Sequence, residues 1–175
     1  NIMLQPERPL AAIVGGAKIA DKIEILHKFI EIADFVAIGG AMANTFLMAQ
    51  GVDVAESLVD TAELGVARDI IAKAEAEARE RDFVFAIPRD GVVSTAIDPL
   101  KPTRLVDWGA HVTADIENYP KRVPAGASHI HKHEKILDIG PFSGAFIAGS
   151  LQLANTVVWN GTMGVTETKG IQGPV

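Results

Sequence analysis

Lys18 and Lys22 stand four residues apart directly behind a glycine pair, Gly15-Gly16, and that pattern is suited to holding phosphate. At the start of a helix the two lysines would share one face. A helix N-terminus carries partial positive charge and disfavours lysine, so an anion beside them would relieve the conflict. The plainer reading is a solvated pair with Asp21 and Glu24 as partners. A second glycine pair, Gly39-Gly40, follows another apolar run. Glycine in such turns lets a ligand approach the backbone, and the helix that follows offers free N–H groups to phosphate. Tight strand-to-helix turns would also explain both pairs. Further on, the apolar run Val157-Val158-Trp159 enters Asn160-Gly161, with Gly164 behind it. There an amide side chain would sit on a sharp loop, unless the feature is an ordinary Asn-Gly turn.

These residues need a frame that brings their loops together, and short apolar runs alternating with helical patterns supply one. Leu10–Val14 reads as a buried strand ending at Gly15-Gly16. Ile19, Ile23, Leu26, Ile30 and Ala33 then mark one apolar helix face. Residues 35–38 form a second strand, followed by a short helix near 43–50. A longer helix starts near Thr61, with Asp60 and Glu63 placed as a capping box. Its stripe is Leu64, Ala67, Ile71, Ala74 and Ala78, and Glu75–Arg79 and Glu77–Arg81 are pairs on the wet side. Residues 83–87 are a third strand. Between Arg89 and Lys135 the pattern is irregular, with a candidate strand at 92–97 among loops. A strand at 136–139, a helix near 143–155 and a strand at 156–159 complete the reading. The expected fold is a three-layer α/β/α domain around a parallel sheet. In such sheets ligands bind beyond the carboxyl ends of the strands, where all three glycine-bearing turns would lie.

Composition narrows the function classes. The 175 residues suffice for one well-packed domain, 48% of them are hydrophobic and 22% charged. With 16 Lys plus Arg against 22 Asp plus Glu, the formal charge is -6, which argues against nucleic acid or an anionic membrane as partner. The absence of cysteine excludes disulfide and thiolate chemistry. No apolar run approaches the roughly 18 residues of a membrane span. Residues 1–9 lack the pattern of a secretory signal, so the default expectation is a cytoplasmic protein.

Four ordered segments resemble the phosphoglycerate kinase family. They are Gly15-Gly16-Ala17-Lys18-Ile19-Ala20-Asp21-Lys22, Ile38-Gly39-Gly40-Ala41-Met42-Ala43-Asn44-Thr45-Phe46, Leu137-Asp138-Ile139-Gly140-Pro141 and Trp159-Asn160-Gly161. Arg8-Pro9 ahead of the first strand also matches, and the likeness covers nearly the whole chain. It implies a Rossmann-like domain of the type found in the family's carboxyl-terminal, nucleotide-binding half, and a part in reversible phosphoryl transfer between 1,3-bisphosphoglycerate and ADP. The resemblance places Gly15, Gly16 and Ala17 against the nucleotide and sets Lys18 and Lys22 facing its phosphates. Lys22 would stabilise charge on the phosphoryl group as it transfers. Gly39, Gly40 and Leu137 match the adenine pocket, Asn160 a phosphate-side contact, and Glu167 the carboxylate on the ribose hydroxyls. Phosphoryl transfer needs chiefly positioning and charge neutralisation, which lysines and helix N-termini can supply.

The departures from the family pattern are Ala41 for a third glycine, Phe142 for a lysine, Thr162 for a proline and Thr166 for a phenylalanine. The family's Mg²⁺-holding loop and its amino-terminal 3-phosphoglycerate domain have no counterpart within these residues. The expectation is therefore one nucleotide-binding domain over residues 1–175, incomplete at its C-terminal end. It would bind ADP or ATP with Mg²⁺ carried by the nucleotide, derive from a monomeric parent enzyme, and not catalyse alone. The alternative is a stand-alone nucleotide-binding or structural module without catalysis. Two features fall outside this scheme. His129, His131 and His133 would share one side of an extended segment and could hold zinc or nickel, or simply face solvent. Asp21, Asp90 and Asp138 sit near strand or helix ends, where carboxylates usually cap and turn.

Overall fold

The structure, a computed structural model, describes residues 6–108 and 129–166. The chain begins with β1 (Leu10–Val14), α1 (Ile23–Ile32), β2 (Phe35–Ile38) and α2 (Met42–Ala49). It continues with α3 (Leu64–Glu80), β3 (Val84–Ala86), β4 (Asp90–Ser94) and β5 (Arg104–Asp107). Then come β6 (Lys135–Ile139), α4 (Pro141–Gln152) and β7 (Thr156–Asn160). Strands β3-β2-β1-β7, in that order, form a parallel sheet.

The alternation of side chains along β1 decides the layers. Leu10, Ala12 and Val14 pack with Leu26, Phe29 and Ile30 of α1, Phe46 of α2 and Ile70 of α3. Ala11 and Ile13, with Phe35 and Ala37, face the opposite way onto Ile147 of α4. Both faces are covered, which is why β1 and β2 read as unbroken apolar runs. The architecture is the expected three-layer α/β/α fold around a parallel sheet.

A second, antiparallel sheet of order β5-β4-β6 stands beside it. The joint is Asp90 at the start of β4. Its buried carboxylate accepts the backbone N–H groups of Phe142 and Ser143, each at 2.8 Å, and the Ser143 hydroxyl at 2.5 Å. It thereby satisfies the first turn of α4 and sets a negative charge at the positive end of that helix.

Several local expectations need correction. The first helix does not begin near Ile19: a 3-10 turn, Ala20–Lys22, comes first, and α1 starts at Ile23. Lys18 therefore precedes any helix, Lys22 is the N-cap residue of α1, and the two do not share a helical face. The Asp60–Glu63 capping box does not form, because neither helix start there has a side-chain cap. Instead the Asp60 N–H donates to Thr45 Oγ1 at 3.1 Å. The buried stripe of α3 runs through Ala67, Ile70 and Ala74, while Ala78 is exposed. The strand expected at 92–97 is Asp90–Ser94, and the helix expected at 143–155 is Pro141–Gln152. Both i,i+4 pairs form, Glu77–Arg81 at 2.5 Å and Glu75–Arg79 at 3.9 Å.

Candidate functional site

The carboxyl ends of three neighbouring strands meet at one level, since Val14 pairs with Ile38 on one side and Asn160 on the other. The chain order reverses at β1, with β2 and β3 to one side and β7 to the other, and such a switch point opens a crevice. The three turns that leave these strands are knitted together by their backbones. Gly15 N–H donates to Asn160 O at 2.8 Å, Gly40 N–H to Met163 O at 2.8 Å, and Met42 N–H to Gly16 O at 3.0 Å.

This packing is what requires the glycines. A Cβ on Gly15 would lie 2.0 Å from the Thr162 carbonyl oxygen. One on Gly40, whose φ is +67°, would lie 2.5 Å from Gly16 O. The glycines thus serve the contact between turns, and the crevice is a consequence of how closely those turns approach.

Lys22 and Asn160, far apart in the chain, meet here: Lys22 Nζ donates to Asn160 Oδ1 at 2.5 Å. The amide is a neutral partner, so it orients the ammonium without cancelling its charge. Lys22 Cε lies 3.4 Å from where a Gly16 Cβ would stand, which carries the half-buried side chain across the first turn. Lys18 is exposed on the loop that follows Ala17.

A cavity of about 300 Å³ opens beside these groups, between the two sheets. Gly16, Ala17 and Gly40 form part of its wall from the parallel sheet, and Leu137 enters from β6. Gly15 and Gly39 stay behind the wall, where Gly39 abuts Met163. The structure thus brings together Gly16, Ala17, Gly40 and Leu137, with Lys22 and Asn160 against the same turn. Glu167 lies outside the described residues. A second cavity, of about 440 Å³, lies between α4 and β7 and is lined by apolar groups including Ile147, Leu151 and Trp159. Gly16, whose turn the Lys22 side chain crosses, lies in the wall of the smaller cavity and not of the larger, so the smaller is the better candidate for a phosphorylated ligand.

Sequence reading missed Leu58, Leu47 and Asn44, which also line the smaller cavity. Leu58 is 64% exposed in a segment without helix or strand periodicity, so an unexplained surface leucine was the only available signal. Asp90, which borders the cavity, is committed to α4. The histidine segment is a turn, closed by Glu134 N–H donating to His131 O at 2.9 Å, so its side chains do not share an extended face. His133 Nδ1 lies 2.9 Å from Glu56, and His131 pairs with Glu134 at 3.6 Å. Among the described residues no group of three or more His, Asp or Glu could hold a metal ion.

Two carboxylates around this turn have shifted acidities. Burial pushes the Glu134 carboxyl up, but hydrogen bonds from Arg104 and the His131 backbone outweigh it and leave the net value below the ordinary range. Hydrogen bonds from His133 and Lys135 hold Glu56 low as well.

No helix among the described residues is long and apolar enough to cross a membrane. Comparison with known proteins gives one answer. A phosphoglycerate kinase from Pelotomaculum thermopropionicum is 39% identical over 167 residues, covering 95% of this chain and 37% of that protein. One from Desulforapulum autotrophicum is 41% identical over 164 residues, covering 94% and 36%. The structure of phosphoglycerate kinase from Coxiella burnetii superposes with a TM-score of 0.80 at 28% identity, covering 97% of this chain and 38% of that one. The chain thus spans little more than a third of the length of these relatives. With the phosphoglycerate kinase family model matching residues 1–173, the chain belongs to the phosphoglycerate kinase family.

Proposed function

We propose that these residues form the carboxyl-terminal, nucleotide-binding half of a phosphoglycerate kinase, and that the cavity between the two sheets takes ADP or ATP. The observation that carries this reading is the Lys22–Asn160 contact beside the cavity at the switch point. The base would lie in the apolar part, against Leu137 and Leu58, and the phosphates would run toward Gly16 and Lys22. Lys22, already oriented by Asn160, would neutralise charge on the phosphoryl group passing between ADP and 1,3-bisphosphoglycerate. Lys18, exposed ahead of the 3-10 turn, would add long-range attraction for the phosphates. Mg²⁺ would come with the nucleotide and neutralise further phosphate charge.

Catalysis would require groups beyond this chain, including a site for 3-phosphoglycerate, so binding without turnover is the expected behaviour. Cytoplasmic location and a monomeric parent enzyme belong to the same reading. The test is calorimetric titration of the chain with ADP, with and without Mg²⁺. Saturable binding is expected, weakened at least about tenfold in Lys22→Ala by loss of a charge-assisted contact. Absence of saturable binding at millimolar ADP would sink the proposal.

A further inference from the structure

Between α2 and the start of α3 the chain crosses residues 52–60, a strap without helix or strand that carries Leu58 to the cavity. One bank of the strap is held by two consecutive side chains of α2. Asn44 Nδ2 donates to Leu58 O at 3.1 Å, and Thr45 Oγ1 accepts the Asp60 N–H at 3.1 Å. Both residues are buried, at 2% and 1% exposure, although a helix this apolar could have placed hydrocarbon there. Polar groups in such positions cost free energy unless they are bonded, and these two spend bonds on the strap.

The other bank is tied to β6 and the turn before it. Glu56 N–H donates to Glu134 O at 3.0 Å, and Ile136 N–H donates to Ser57 Oγ at 2.9 Å. Within the strap, Ala55 adopts φ +49°, a conformation uncommon outside glycine that persists only where surroundings enforce it. Leu58 is therefore fixed by backbone bonds, its own carbonyl's to Asn44 among them, while its side chain stays largely exposed.

We infer that Asn44 and Thr45 are positioning residues, which hold the strap so that Leu58 closes the cavity on the flat face of a purine base. The inference rests on the nucleotide reading above for its ligand, but the geometry of the strap stands apart from it. Asn44 and Thr45 act through Leu58, so the strap sets selectivity for the base and leaves the phosphate end alone.

Two measurements on the intact chain keep these readings distinct. In hydrogen exchange without ligand, Asn44→Leu and Thr45→Val each speed exchange of the Asp60 amide and its strap neighbours by about tenfold or more, while β1 amides keep their protection. Thr45→Ser retains the accepting oxygen and stays near wild type. In titration, Thr45→Val, at a residue outside the cavity wall, and Leu58→Ala each weaken ADP by about five- to tenfold and leave tripolyphosphate unchanged. The double variant binds ADP no more weakly than Leu58→Ala alone, since one residue works through the other. Unchanged strap protection, parallel loss of ADP and tripolyphosphate, or additive losses in the double variant would each overturn the inference. If wild type binds no ADP, the nucleotide reading and the base-closing role of the strap fall together, and normal exchange in the variants would remove the positioning role as well.

Discussion

Gly40 shows how a single residue can be demanded by conformation and by space at once. Its φ of +67° is one that L-residues adopt at a cost of about 1–2 kcal/mol, and a Cβ there would also run into Gly16. Gly51 offers the control, with φ +89° and nothing within 4 Å of an added Cβ. Gly51→Ala should therefore lose only the conformational term, about 1–2 kcal/mol, by urea denaturation. Gly40→Ala should lose more, by about a further 1–3 kcal/mol, because two backbones must move apart. Equal losses would mean that the turns have room to spare and that the glycines do not set the crevice. The same economy explains Lys22: partnered with a neutral amide, it keeps its charge available.

At the scale of elements, strands β1 and β2 were legible because each is an unbroken apolar run stopped by a glycine pair. The α1 stripe was legible too, but Ile19 continues the helical period across a 3-10 turn, and that concealed where α1 begins. The antiparallel sheet was mostly illegible, since β4 pairs with β6 across a long stretch of chain and neither strand alternates clearly. Four residues of the cavity wall, Gly16, Ala17, Gly40 and Leu137, were named from glycines and a family likeness. Leu58 was not, because its place depends on bonds from α2 and β6 that carry no sequence period. Asp90 was recognised as a cap or turn former, but not as the clasp between β4 and α4. Removing that clasp leaves two helix N–H groups and a buried hydroxyl without their acceptor. Asp90→Ala should cost about 2–4 kcal/mol in urea denaturation, and a loss below about 1 kcal/mol would show that water or a neighbour replaces it.

The turn joining the histidine segment to β6 makes a pH-dependent contribution through Glu134. Its carboxyl is held below the ordinary range in the folded state, so its stabilisation is present above the unfolded value near 4.3. That contribution is lost as pH falls through the folded value. The difference in Tm between wild type and Glu134→Gln should accordingly be constant near pH 6 to 7 and shrink below about pH 4. A gap that persists undiminished at pH 3 would assign the effect to packing.

On the scale of the whole molecule, the question is whether two sheets of opposite type behave as one body. The cavity lies between them, so its shape is only as fixed as their junction. Besides Ile139 of β6, which packs on the apolar cluster of the parallel sheet, that junction has polar ties: Asp90 of β4 bonded to the start of α4, and the strap bonded to α2 and to β6. Such bonds contribute modestly one by one, but each satisfies a group that opening would strand, so the sheets should separate only as the chain unfolds. The two tryptophans report on the two halves. Trp159 stands on β7 of the parallel sheet, and Trp108 follows β5, its Nε1 donating to Pro88 O at 2.9 Å. Single-tryptophan variants, Trp108→Phe and Trp159→Phe, should give coincident denaturant midpoints once each is corrected for its own loss of stability by circular dichroism. If the Trp108 signal moved first, the antiparallel sheet would be opening alone, and Leu137 and the strap would leave the cavity with it. Affinity for ADP should then fall at denaturant concentrations where the parallel sheet is still intact. A single coincident transition would instead show that the crevice and its roof are kept by one cooperative unit.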